Sequence, residues 1–222
     1  MPAISISALA IHVSADIASA GPDRRWPPLH AMQDTAQRMM RICSELGIAD
    51  QRTLAGEHAT VAALLYALGD AGAALADDGL IVLTFSGHTV RGDGPIETAR
   101  WCLFDAGIEL SQVAGELARL PPNARAIVIC DSCYASAIAS VLIGPQEVVV
   151  LASCGEDQTM VDRVRSEPEA HLHSCASYWS TIRLIASGRL CGPTPLRGGP
   201  ARSRDRFTRP SVKLVAHPFG RP

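Results

Sequence analysis

The chain has 222 residues, 47% of them hydrophobic, 19% charged and 5% aromatic, with a formal net charge of −2. That is the length of one domain, with enough Ala, Leu, Ile and Val to build a core, which excludes a disordered or fibrous chain. A charge so near neutrality gives no overall attraction to nucleic acid or an anionic membrane, and no apolar run approaches the roughly 20 residues that span a bilayer.

Strands and helices alternate along the chain. Ile4–Val13 reads as a first strand. Ser14–Leu29 is loop, broken by Gly21-Pro22 and Pro27-Pro28. His30–Leu46 carries apolar residues at helical spacing and stops at Gly47. A short strand near Arg52–Leu54 precedes Thr60, which reads as the N-cap of a helix over Val61–Ala76. Leu80–Phe85 is a continuous apolar run suited to a strand buried on both faces of a parallel sheet, and Trp101–Phe104 is a brief further strand. Helix Leu110–Leu120 ends at Pro121-Pro122, and Ala126–Cys130 is a second buried strand followed by helix Ala135–Leu142. Strand Glu147–Ala152, helix Ser174–Ala186 and strand Val212–Ala216 complete the series. This alternation predicts an α/β fold, a mostly parallel central sheet with helices on both faces. Gly192–Arg209 is rich in Pro, Gly, Ser and Arg and reads as a solvated connector.

Seven cysteines do not make an even disulfide framework, and a domain of this size needs none, so reduced thiols in a cytoplasmic protein are expected. Ile4–Val13, followed by Ala18-Ser19-Ala20, superficially resembles a signal peptide, but it lacks a basic leader and is interrupted by His12 and Asp16.

Ligands of open parallel sheets bind beyond the carboxyl ends of the strands. Two buried strands here end in reactive residues, Thr84-Phe85-Ser86-Gly87-His88 and Cys130-Asp131-Ser132-Cys133-Tyr134. The Ser-Gly pair is expected to turn the chain sharply and present the imidazole. Cys133, where strand gives way to helix, is expected to gain thiolate character from the helix N-terminus. A histidine and a cysteine at neighbouring strand ends are the minimum for thiol proteolysis, with His88 as proton carrier and Cys133 as nucleophile.

Thr84–His88 and Asp131–Ser136 resemble the two signatures of caspase-like cysteine peptidases, nearer to metacaspases of bacterial type than to animal caspases. The separation of 45 positions from His88 to Cys133 compares with about 50 in caspases. Leu29–Ala36, Glu57–Leu68, Ser153–Asp162 and Ser174–Gly188 are similar to further parts of that family, so the likeness covers roughly residues 4–190.

The resemblance implies a caspase-like fold and an endopeptidase acting on a protein or peptide after Arg or Lys. It implies an oxyanion held by the backbone N–H groups of Thr89 and Cys133, and substrate contacts from Asp34, Ser86 and Asp131. Elementary electrostatics agrees for Asp131, since a carboxylate two positions before the nucleophile complements a guanidinium. It also implies a peptidase domain over residues 1–190, with a large-subunit-like part to about residue 145, and a loop and terminal strand over 191–222. An upstream activating protein and a place in a defence or cell-death cascade follow only by analogy. Two departures stand out: Thr89 replaces the family's glycine, and Tyr134-Ala135-Ser136 replaces its His-Ser-Gly. The acids between the two motifs are scattered rather than clustered, so no calcium requirement and no cofactor are expected. Basic bonds within Arg197–Arg209 are candidates for self-cleavage.

Other readings remain open. Cys130-x-x-Cys133 has the spacing of a thiol redox site. A catalytically silent caspase-like binding module is a second alternative. His171, His173, Cys175 and Cys191 match no common structural zinc spacing.

Overall fold

The computed structural model describes residues 6–16, 18, 26, 29, 32–91, 94–142, 146–155 and 213–217, with the backbone alone for 32–34, 97 and 213–217. In chain order the strands are β1 (Ile6–Ala15), β2 (Asp50–Ala55), β3 (Leu75–Gly87), β4 (Thr89–Val90), β5 (Arg100–Cys102), β6 (Gly107–Glu109), β7 (Arg125–Asp131), β8 (Glu147–Ala152) and β9 (Lys213–His217). The helices are α1 (Met32–Glu45), α2 (Val61–Ala74), α3 (Leu110–Leu117) and α4 (Ile138–Val141).

Six strands form the central sheet in the order β2-β1-β3-β7-β8-β9. The first five are mutually parallel, and β9 closes the edge antiparallel to β8. Alternation along the strands divides the apolar side chains between two cores. Leu9, Ile11, Val13, Ile81, Leu83, Phe85, Val128 and Cys130 pack with Leu64 and Leu68 of α2, Val113 and Leu117 of α3, and Ile138 of α4. Ala10, Leu80, Val82, Ile127 and Ile129 pack on the other face with Met39 and Cys43 of α1. Burial on both faces explains why these strands read as unbroken apolar runs. No helix among the described residues is long and apolar enough to cross a membrane.

The expected α/β architecture is therefore present, with local differences. Thr60 caps α2, its side chain accepting from the Ala63 N–H at 3.1 Å. The helix ends at Ala74, however, and β3 starts at Leu75, five residues before the apolar run. Leu75 pairs with Ile6, and a register shift follows before Ala8 pairs with Leu80. The polar Asp77-Asp78-Gly79 stretch hides this extension from hydrophobic patterning. The expected helix over Ala135–Leu142 is a 3-10 turn, Ala135–Ala137, followed by the four residues of α4.

A second, antiparallel sheet, β4-β5-β6, lies between β3 and α3. Sequence patterning gives only its middle strand, because strands of two and three residues carry too little alternation to register. Phe85 of β3 stacks on Trp101 of β5, with ring centroids 4.2 Å apart and planes 5° from parallel, joining the two sheets. The terminal strand is Lys213–His217. The expected helix Ser174–Ala186, the connector Gly192–Arg209 and the His171, His173, Cys175, Cys191 set lie outside the described residues.

Candidate active site

The site is set by one register. In the parallel pair β3·β7, Ser86 lies opposite Asp131. The chain leaves both strands at the same level, with His88 two residues beyond Ser86 and Cys133 two residues beyond Asp131. Both reactive side chains thus occupy the carboxyl edge of neighbouring central strands, and both are half-buried.

Gly87 serves a different purpose from the sharp turn expected of it. It lies within β3 and pairs with Ala15, and its φ is not in the left-handed region. A Cβ there would sit 3.0 Å from both Ala15 Cβ and Phe85 Cζ, so the glycine permits close approach of β1 to β3. Next to it, the His88 carbonyl accepts from the Cys102 N–H at 2.8 Å. The Trp26 ring lies 5.4 Å from the imidazole, tilted by 35°.

Around Cys133 the backbone turns through Tyr134, which adopts the left-handed conformation at φ 52° and ψ 31°. That is unusual for a bulky residue and marks a sharp, over-determined turn. Buried hydroxyls brace it. Ser132 N–H donates to Ser153 Oγ at 3.3 Å, and Ser153 Oγ donates back to the Ser132 carbonyl at 3.3 Å. Thr89 Oγ1 donates to Ser132 Oγ at 2.8 Å, and Ser132 Oγ donates to the Cys133 carbonyl at 3.1 Å. The expected helix-dipole assistance to Cys133 is absent, because α4 begins five residues later and is one turn long.

Thr89 takes the glycine's place without strain. Among the described non-glycine residues only Tyr134 has positive φ, and Thr89 is ordinary strand. Thr89 faces Trp101, and the adjacent Cys102 N–H bonds the His88 carbonyl, so Thr89 and Trp101 form a non-hydrogen-bonded pair. The Thr89 N–H is consequently directed to the side of β4 away from β5.

Ser14, Ser86 and Asp131 stand in register on three adjacent strands. Alternation puts all three on the face covered by α1, since Val82 and Ile129, in step with them, belong to that core. Ser86 is buried and Asp131 half-buried. Asp34 lies in the first turn of α1. Because α1 connects two parallel strands, that turn starts at the same carboxyl edge; the Asp34 side chain lies outside the described residues.

The structure therefore links the His88 and Cys133 loops through the Thr89–Ser132 bond, sets Ser86 and Asp131 side by side, and brings Asp34 to the edge by its helix alone. Sequence reasoning missed Trp26, the brace formed by Ser132 and Ser153, and Asp16, which follows directly on the Ala15–Gly87 pair. An acid just past the end of an apolar strand is the signal that could have found Asp16. Cys130 is fully buried in the core, and burial, with the charges of Asp131 and Cys154, pushes its thiol pKa well up. The Cys130-x-x-Cys133 spacing thus joins one core thiol to one at the edge. Among the described residues no three His, Cys, Asp or Glu side chains converge as a metal site.

Neither any protein-family model nor any curated protein matches the sequence. Among solved structures, the chain is similar to protein GSU0716 from Geobacter sulfurreducens, with a TM-score of 0.64 and 17% identity, over 98% of this chain and 95% of that one. At that identity the likeness is one of α/β fold.

Proposed function

We propose that the protein is a cysteine endopeptidase of caspase-like fold, cleaving protein or peptide substrates after Arg or Lys. The observation that supports this reading is the Ser86–Asp131 register, since His88 and Cys133 each follow that pair by two residues at the ends of adjacent strands. In the mechanism, the His88 imidazole takes the Cys133 thiol proton, and the sulfur attacks the scissile carbonyl carbon. The negative charge that develops on the carbonyl oxygen is held by the N–H groups of Cys133 and Thr89. The His88 imidazolium then protonates the leaving amine, and a water activated by the neutral imidazole hydrolyses the thioester.

Asp131, beside Ser86 on the α1 face, supplies the carboxylate for a basic side chain, with Asp34 approaching from the first turn of α1. A cytoplasmic enzyme controlled by an upstream activating protein is the setting this reading takes by analogy.

The test is hydrolysis of fluorogenic peptides ending in Arg, Lys, Asp or Leu by wild type, Cys133→Ala, His88→Ala and Asp131→Asn. Cleavage after Arg or Lys is expected, abolished in the first two variants and reduced mainly through KM in the third. Cleavage after Asp instead would overturn the specificity. No cleavage of any peptide would overturn the enzyme and favour a silent binding module.

A further inference from the structure

Of the described cysteines, Cys43, Cys102, Cys130 and Cys154 are buried, and Cys133 alone is half-buried. Cys154 follows β8 and is wrapped by the backbone that carries Cys133. Its Sγ donates to the Ser132 carbonyl at 3.2 Å and accepts from the Ala135 N–H at 3.5 Å. Its own carbonyl accepts from the Ser136 N–H at 3.2 Å. The sulfur thus bonds the backbone on both sides of Cys133, lying against the inner side of the Tyr134 turn.

We propose that Cys133 and Cys154 form a reversible redox site, in which Cys154 is the resolving thiol for a Cys133 sulfenic acid generated by a peroxide. In the first step the Cys133 thiolate attacks the peroxide; the O–O bond breaks, the sulfur gains one oxygen and is oxidised by two electrons, and the other oxygen leaves as hydroxide. In the second, the Cys154 sulfur attacks Cys133 Sγ. An S–S bond forms, the S–O bond breaks, and the departing hydroxide takes up the proton lost by Cys154 to leave as water. A dithiol reverses the reaction by exchange through a mixed disulfide.

Geometry and exposure support this pairing over the sequence-adjacent Cys130. Backbone atoms of residues 132 and 135 lie within 3.5 Å of the Cys154 sulfur, consistent with the Cα separation of about 4.4–6.8 Å that a disulfide needs. Cys130 shares a core with Cys154 but is fully buried, whereas Cys133 is half-buried and open to a peroxide. Burial above all raises the Cys154 pKa, with a smaller raising effect from Cys133, opposed by bonds to the Ala135 and Tyr134 backbone and the Ser153 side chain.

This inference rests on the placement of two sulfurs and is read without any peptide substrate, so failure of the peptidase reading leaves it standing. The experiment treats the full chain with a small excess of hydrogen peroxide, blocks remaining thiols and maps Cys133 by mass spectrometry. In wild type a Cys133–Cys154 linked peptide is expected, with an intact mass before blocking lower by about 2 Da for the two hydrogens lost, and dithiothreitol should restore both thiols. In Cys154→Ser, Cys133 should pass to sulfinic and sulfonic acids, gains of about 32 and 48 Da that dithiothreitol does not reverse. Linkage of Cys133 to Cys130 or another cysteine, a wild type over-oxidised like the variant, or a Cys133 left unmodified would each overturn the proposal. The wild-type peptide map decides the matter even if the variant folds poorly.

Discussion

Thr89 Oγ1 and Ser132 Oγ are joined by a buried 2.8 Å hydrogen bond that ties the residue after His88 to the residue before Cys133. Two strand ends are thereby fixed to each other by side chains as well as by the β3·β7 ladder. The Thr89 hydroxyl is a positioning group, distinct from the backbone N–H proposed as an oxyanion donor. Thr89→Val removes the hydroxyl at nearly constant shape and should lower stability by about 1 kcal/mol, with kcat falling more than KM rises. Thr89→Ser should restore kcat. Denaturant titration and steady-state kinetics on the two variants check this, and equal kcat in both would remove the positioning role.

Gly87 holds β1 and β3 together because it has no Cβ. Gly87→Ala forces a methyl to within 3.0 Å of Ala15 Cβ and Phe85 Cζ. Overpacking of this kind costs about 1–3 kcal/mol, and here it also displaces the neighbouring His88. Urea unfolding should show the loss, together with a fall in any His88-dependent hydrolysis.

The Phe85–Trp101 stack connects the central sheet to β4-β5-β6 and therefore to Thr89. Both rings are almost fully buried. Trp101→Ala should destabilise by about 3–5 kcal/mol, as truncation of a buried aromatic does. Trp101→Phe should recover much of that loss. Thermal unfolding of the two variants measures the difference.

His12, fully buried in β1, gives a pH dependence unconnected with catalysis. Gln51 Nε2 donates to Ser44 Oγ at 2.8 Å and to the Ile48 carbonyl at 2.9 Å. That turns Gln51 Oε1 to accept from His12 Nε2–H at 3.0 Å, while His12 Nδ1 accepts from Thr84 Oγ1 at 3.1 Å. Burial lowers the His12 pKa below its ordinary 6.5, against the raising effect of the Gln51 bond. The unfolded chain therefore binds a proton that the folded chain refuses, so stability is complete above pH 6.5 and declines as pH falls below it. Melting temperatures across pH 5–8 should show this decline in wild type and a weaker one in His12→Gln.

The central strands were legible in the sequence because burial on both faces leaves unbroken apolar runs such as Leu80–Phe85 and Ala126–Cys130. His88 and Cys133 were legible because each lies just past such a run. The register that makes them neighbours was not, since nothing local in either strand states which strand it pairs with. Gly87 was visible as a residue but not as a spacer, because its function depends on Ala15, 72 positions earlier. The helix after Cys133 was overestimated because Ala135–Leu142 is apolar throughout, whereas the left-handed Tyr134 and the bonds to Ser153 and Cys154 impose a tighter turn. Those contacts lie about 20 residues away in sequence, beyond the reach of any local pattern.

The most direct measurement of the central claim is covalent capture of Cys133 by a peptidyl-arginine electrophile, read by intact mass and peptide mapping. Wild type should gain one adduct, on Cys133, at a rate that falls sharply in His88→Ala and more modestly in Asp131→Asn, while Cys133→Ala gains none. Capture at the same rate in wild type and His88→Ala, or adducts spread over other cysteines, would contradict a His88–Cys133 pair built for peptide cleavage.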